Sequence, residues 1–125
     1  MAAQPKRIIV GFDGSEGAQR ALHAAAQLVG YGSTLTVVSV SSDGESTAPD
    51  ALAEAHERLL DQLVTATYVH RVGEAADELV AVAGELDADL VVVGRHGEED
   101  LHRPAPGSVS ADVVRRAACD VLVVG

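Results

Sequence analysis

Short apolar runs recur along this chain, separated by stretches with a different hydrophobic spacing. The runs are four to seven residues long and rich in valine and isoleucine, which favour β-strands. They predict five strands, at Arg7–Gly11, Thr34–Val40, more weakly Thr65–Val69, then Leu90–Val93 and Val121–Val124. The last two are apolar throughout, which is typical of strands buried on both faces of a parallel sheet.

Between these runs, apolar residues recur three or four positions apart, as they do on one face of an α-helix. This spacing predicts helices over Ser15–Val29, around Leu52, Ala55, Leu59, Leu60 and Leu63, over Gly73–Leu86 and over Ser108–Ala118. The polar stretch Ser41–Pro49 is predicted to be a flexible loop.

The alternation of strands and helices predicts the fold class. Strand–helix–strand units of this length join parallel strands through right-handed crossovers. We predict an α/β fold, a three-layer, doubly wound, five-stranded parallel sheet of the Rossmann-like type, in one domain over residues 1–125. The pattern leaves the strand orders 3-2-1-4-5 and 2-1-3-4-5 open. In either order, a ligand is expected beyond the carboxyl ends of the strands, at the switch point.

Composition and charge narrow the function classes. The chain is 47% hydrophobic with two Tyr, one Phe and no Trp, so an aliphatic core is expected. A formal net charge of −10 argues against nucleic acid and against an anionic membrane surface, because both attract basic patches. No apolar leader precedes the first strand, and no run reaches the length of a membrane span. The single cysteine, Cys119, cannot form a disulfide within the chain, which favours the reducing cytoplasm as its location.

The segment Gly11–Gly17, GFDGSEG, links the first strand to the first helix. Asp13 and Glu16 have the spacing of a helix capping box, and Ser15 is another candidate for the cap. The glycines follow G-x-x-G-x-x-G, which differs from the dinucleotide-binding G-x-G-x-x-G, although Asp43 could be taken for its ribose-binding acid. A nicotinamide or flavin dehydrogenase is therefore not predicted.

A second glycine motif lies between the last two strands. Gly94 and Gly97 follow the strand, and nine residues later Gly107-Ser108 opens a helix, giving Gly-x2-Gly-x9-Gly-Ser. Glycines allow close approach of a ligand to the backbone, and the free N–H groups of a helix N-terminus attract anions. This spacing predicts a phosphate-binding loop.

The DGS sequence after the first strand, the Gly-x2-Gly-x9-Gly-Ser spacing and the closing CDVLVV segment resemble the universal stress protein family. The resemblance covers Arg7 to Val124. It implies the strand order 3-2-1-4-5 and a bound adenine nucleotide, which is ATP in the ATP-binding members.

The same resemblance implies roles for individual residues. Asp13 would contact the adenosine part of the nucleotide, and the backbone of Val40 would meet the adenine base. The ribose and phosphates would be held by Gly94, Gly97, Gly107, Ser108, Val109 and Ser110.

An acidic segment within the glycine motif departs from the family pattern. Glu98, Glu99 and Asp100 stand where small or basic residues are common in the family. Three carboxylates would repel a triphosphate unless they face solvent or a divalent cation such as Mg²⁺ intervenes. No catalytic residues and no metal-ligand set can be assigned from the sequence.

We therefore expect a cytoplasmic, adenine-nucleotide-binding (ATP-binding) regulatory protein of the stress response. Two alternatives stay open: a nucleotide-free, dimeric interaction module of the same fold, and a slow ATP hydrolase.

The apolar strand Val121–Val124 would lie at a sheet edge in the order 3-2-1-4-5. An apolar edge strand leaves backbone groups unpaired and invites a second chain. Pairing with its own copy about a two-fold axis closes the assembly, so a homodimer is expected, as the resemblance also implies.

Overall fold

Strands and helices alternate along the whole described part of the chain. The computed structural model describes residues 5–41, 48–95 and 109–125. In chain order the elements are β1 (Arg7–Gly11), α1 (Glu16–Leu28), β2 (Thr34–Ser41), α2 (Ala48–Asp61), β3 (Thr67–Val72), α3 (Ala75–Glu85), β4 (Leu90–Gly94), α4 (Val109–Arg116) and β5 (Asp120–Val124).

The five strands form one parallel sheet in the order β3-β2-β1-β4-β5. The predicted fold class is confirmed. Of the two orders that the hydrophobic pattern left open, the structure has the one that the family resemblance implied. The switch point lies at β1, because the chain adds strands first on one side of β1 and then on the other.

Two hydrophobic cores cover the two faces of the sheet. Ile8 and Val10 point to the face covered by α1 and α2, whereas Ile9 points to the face covered by α3 and α4. Among the described residues, the buried core is aliphatic apart from Phe12. The sheet and its helices thus form the predicted three layers.

The second helix and the third strand differ from their predicted positions. Leu60 and Leu63 were expected on the buried face of the helix, but their side chains are 57% and 93% exposed. Leu63 has a φ of 58° and lies in the turn that ends the helix, where the Val64 N–H donates to the Leu59 carbonyl. Because of this turn, β3 begins at Thr67, whereas the predicted strand began at Thr65.

Both ends of the predicted loop Ser41–Pro49 belong to regular secondary structure. Ser41 still belongs to β2, and Pro49 lies in the first turn of α2, where its missing N–H is not needed by the helix. The remainder of that loop, residues 42–47, lies outside the described residues.

β3 and β5 are the edge strands of the sheet. On β5, the side chains of Leu122 and Val123 are 38% and 36% exposed. None of the helices in the described ranges is both long and apolar enough to cross a membrane.

Candidate functional site

The middle strand of the sheet is the first to end, and its neighbours continue past it. β1 pairs with β2 as far as Val38 and with β4 as far as Val92. β2 then runs on to Ser41 and β4 to Gly94. The space between these two strand ends, closed from below by the turn that leaves β1, is called here the switch gap. It lies where doubly wound sheets bind their ligands.

The turn after β1 is built by Asp13, Gly14 and Ser15. Asp13 Oδ1 accepts a hydrogen bond of 2.9 Å from the Ser15 N–H, and Gly14 has a left-handed φ of 85°. Ser15 is the N-cap of α1, because its hydroxyl accepts from the Ala18 N–H at 3.2 Å. The predicted Asp13–Glu16 capping box is therefore wrong, and the other candidate, Ser15, is the cap.

The turn uses only one carboxylate oxygen of Asp13. The residue is exposed, and no hydrogen bond to Asp13 Oδ2 is found among residues 5–41, 48–95 and 109–125. A carboxylate held by one oxygen and open at the other suits a ligand that carries hydroxyl or amino donors.

Val40 presents its main chain to the switch gap. The Phe12 N–H donates to the Val38 carbonyl, and the Gly73 N–H donates to the Ser41 carbonyl. Successive residues of a strand turn their N–H and C=O groups to opposite neighbours, so those of Val40 face the β1 side, as those of Val38 do. Because β1 has ended by this point, the Val40 N–H and C=O are directed into the gap. Its side chain packs against the core under α3 and α4.

The other wall of the gap is the end of β4. Gly94 lies against Gly17 in the first turn of α1, so closely that a side chain at Gly94 would meet the helix backbone. The N-terminus of α1 and the end of β4 are therefore in direct contact.

The start of α4 is hydrogen-bonded to the same carboxyl end of the sheet. The hydroxyl of Ser110, a buried residue, donates to the Arg95 carbonyl at 3.4 Å. The Arg95 N–H donates in turn to the Val124 carbonyl at 2.7 Å. These two bonds hold the first turn of α4, where Val109 is 38% exposed, beside the ends of β4 and β5.

The remaining predicted phosphate-binding residues, Gly97, Gly107 and Ser108, lie outside the described residues, as does the acidic segment Glu98–Asp100. Within the described ranges, no cluster of three or more His, Cys, Asp or Glu side chains is placed to hold a metal ion.

Comparison with known proteins identifies the family. The family model described as "Universal stress protein family" matches residues 5–125. The chain belongs to this family. The universal stress protein Rv1636 of Mycobacterium tuberculosis is 32% identical over 139 residues, covering 95% of each chain. Its crystal structure superposes with a TM-score of 0.70 and 35% identity, covering 100% of this chain and 98% of that one.

Two further solved members share the fold. A universal stress protein in complex with cAMP is 29% identical, with a TM-score of 0.76, and the match covers 98% of this chain and 99% of that one. The universal stress protein UspA from Lactobacillus plantarum is 25% identical, with a TM-score of 0.80 and coverage of 99% and 100%. Nucleotide binding is thus a property found within the family.

In this universal stress protein, the predicted site residues that lie in the described ranges come to one edge of the sheet. Asp13 leaves β1, Val40 and Gly94 end the flanking strands, and Val109 and Ser110 open α4. They approach the carboxyl end of the sheet from four different elements.

The sequence analysis did not identify three residues that lie near the carboxyl end of the sheet, namely Gly17, Gln19 and Glu54. Gly17 left a signal, because glycine inside a helix costs about 1 kcal/mol relative to alanine and so indicates a packing reason. Gln19 and Glu54 gave no signal in the sequence, because their side chains form a hydrogen bond although they lie 35 positions apart in the chain.

Cys119 lies just before β5, at the amino ends of the strands, whereas the switch gap lies at their carboxyl ends. Burial, together with the charges of Asp120 and Asp89, raises the pKa of its thiol. A raised pKa lowers the thiolate fraction, so Cys119 is a poor nucleophile.

Proposed function

We propose that this universal stress protein binds an adenine nucleotide, ATP in the first instance, in the switch gap, and that this binding underlies a regulatory role in the stress response. The observation that carries the proposal is the early end of β1. It directs the Val40 N–H and C=O into a space that also borders Asp13.

The Val40 main chain suits the adenine base of an adenosine, and the Asp13 carboxylate suits its ribose. The Val40 N–H and C=O, which face the gap, offer one donor and one acceptor, which match the ring-nitrogen acceptor and amino donor of adenine. The open oxygen of Asp13 can accept from a ribose hydroxyl, while its other oxygen keeps the turn in place. Such polar groups fix the orientation of a ligand in its site.

The phosphates would extend toward α4. The N-terminus of this helix carries the positive end of the helix dipole, which favours an anion. Because Ser110 donates its hydroxyl to Arg95, the proposal for Val109 and Ser110 is supported by their place at the positive end of the helix dipole. Gly97, Gly107 and Ser108 complete the proposed loop by their position in the motif, with Mg²⁺ as a counter-ion to the acidic segment.

A homodimer through β5 is part of the proposal. β5 is an edge strand, and its Leu122 and Val123 side chains are partly exposed. Pairing of two such strands about a two-fold axis would cover both edges.

Titration calorimetry of the purified chain with ATP, AMP and cAMP, each with and without magnesium, tests the nucleotide proposal. We expect saturable binding of at least one of the three. A preference for cAMP, the ligand of one solved relative, would retain the site and replace the ligand. No binding of any of them would favour the nucleotide-free module, and steady phosphate release from ATP would favour the slow hydrolase.

A further inference from the structure

The turn that carries Asp13 is held by a side chain from α1. Gln19 Nε2 donates a hydrogen bond of 3.1 Å to the carbonyl oxygen of Gly14. Gly14 has a φ of 85°, a conformation that glycine adopts readily and that a flexible loop would also leave readily. The bond from Gln19 therefore restrains the least constrained residue of the turn.

Gln19 is itself fixed by α2. The same Nε2 atom donates to Glu54 Oε2 at 3.4 Å, and Arg58 Nε donates to that oxygen at 3.0 Å. Arg58 lies one helical turn after Glu54, the spacing at which such pairs stabilise a helix. The carboxylate of Glu54 is thus oriented from its own helix before it receives Gln19.

The helix that carries Glu54 is firmly placed. Ala55 and Leu59 are completely buried in the core that α2 shares with α1. A chain of contacts therefore runs from the hydrophobic core through Glu54 and Gln19 to Gly14, the residue next to Asp13.

We infer that Gln19 is a positioning residue for the nucleotide site, acting through the Gly14 carbonyl to orient the Asp13 carboxylate. This inference rests on the proposed function. Without the Gln19 amide, the turn samples more conformations, and the ligand must order it on binding, which lowers affinity. Gln19 itself need not touch the nucleotide.

The test compares two equal truncations on one helix. Gln19→Ala removes the amide that holds Gly14, whereas Gln27→Ala makes the same change at the far, exposed end of α1. Alanine favours the helix at both positions, and circular dichroism checks the fold. We expect Gln19→Ala to weaken nucleotide binding about threefold to tenfold, the net value of one hydrogen bond, and Gln27→Ala to leave binding unchanged.

A double variant separates positioning from general loosening of the fold. If Gln19 acts through Asp13, then Gln19→Ala should have no further effect on affinity in an Asp13→Ala background. Additive losses would overturn the inference, because they would mean that Gln19 acts by another route.

A readout without nucleotide keeps the inference separate from the proposed function. The Ser15 N–H, which donates to Asp13 Oδ1, should exchange with solvent about threefold to tenfold faster in Gln19→Ala than in wild type. Unchanged exchange, or faster exchange with unchanged affinity, would overturn the inference. Faster exchange in a protein whose wild type binds no nucleotide would support the role of Gln19 in the turn and overturn the proposed function.

Discussion

Gly94 at the end of β4 is in backbone contact with Gly17 in the first turn of α1. A Cβ atom at Gly94 would lie 2.5 Å from the carbonyl carbon and oxygen of Gly17 and 3.0 Å from the Ala18 nitrogen. Two facing glycines thus let α1 begin directly against the end of β4. The contact brings the turn of Asp13 to the wall of the switch gap, so Gly94 has a packing role besides its proposed approach to the ligand.

Gly94→Ala should lower the free energy of unfolding by about 1–3 kcal/mol, because the added methyl group must displace helix backbone. Gly84→Ala is the matched control: it lies in α3 with nothing within 4 Å of the added atom, and it should be neutral or stabilise by up to about 1 kcal/mol. Urea unfolding measures both. Equal stabilities for the two variants would contradict the close packing.

Ser15→Ala should destabilise the protein by about 1–2 kcal/mol, because it removes the acceptor for the Ala18 N–H at a buried helix start. Glu16→Ala, which alters the residue of the rejected capping box, should change stability by less than about 0.5 kcal/mol. Thermal or urea unfolding of the two variants decides between the caps, and a larger loss for Glu16→Ala would reinstate the box.

Asp13→Asn keeps an acceptor for the Ser15 N–H but removes the carboxylate charge. Since hydrogen bonds to charged groups are worth more than neutral ones, nucleotide affinity should fall about tenfold in calorimetry. Asp87→Asn, the same change in an exposed turn at the opposite edge of the sheet, serves as the control and should bind like wild type. Tighter binding by Asp13→Asn would instead place the carboxylate beside the phosphates.

Val123→Pro should prevent the proposed dimer from forming. Because Val124 accepts from Arg95, its main chain faces β4, and that of Val123 faces the open edge. Proline at residue 123 therefore removes an N–H that faces away from β4 and that a second chain would use.

Val123→Thr is the control, since it keeps both the N–H and the branched side chain. Light scattering at tens of micromolar, after circular dichroism has checked the fold, should show a dimer for wild type and for Val123→Thr. A wild-type monomer, or a dimeric Val123→Pro, would refute pairing through β5.

The central strands followed directly from the sequence. β1 was predicted over its observed range, Arg7–Gly11, and β4 to within one residue, Gly94, of its end. Both are buried on two faces, so their apolar runs carry an unbroken signal.

The edge strand β3 was predicted less well, because polar residues end it. It contains Arg71, which pairs with Glu78 at 3.8 Å and also with Glu85, both on α3. An edge strand can be held by such ion pairs at its exposed side, which a hydrophobic pattern does not reveal.

The amino-acid sequence by itself determined the order of the elements, the fold class and the glycine motifs of a universal stress protein. These depend on local spacing and burial, which are properties of short segments. Between the two cap candidates that the sequence left open, the structure selected Ser15. Only the tertiary structure decided that Val40 turns its main chain into the switch gap and that Gln19 meets Glu54. Such features arise when separate segments pack together, because the end of a ladder and a contact across 35 positions depend on the assembled sheet and helices.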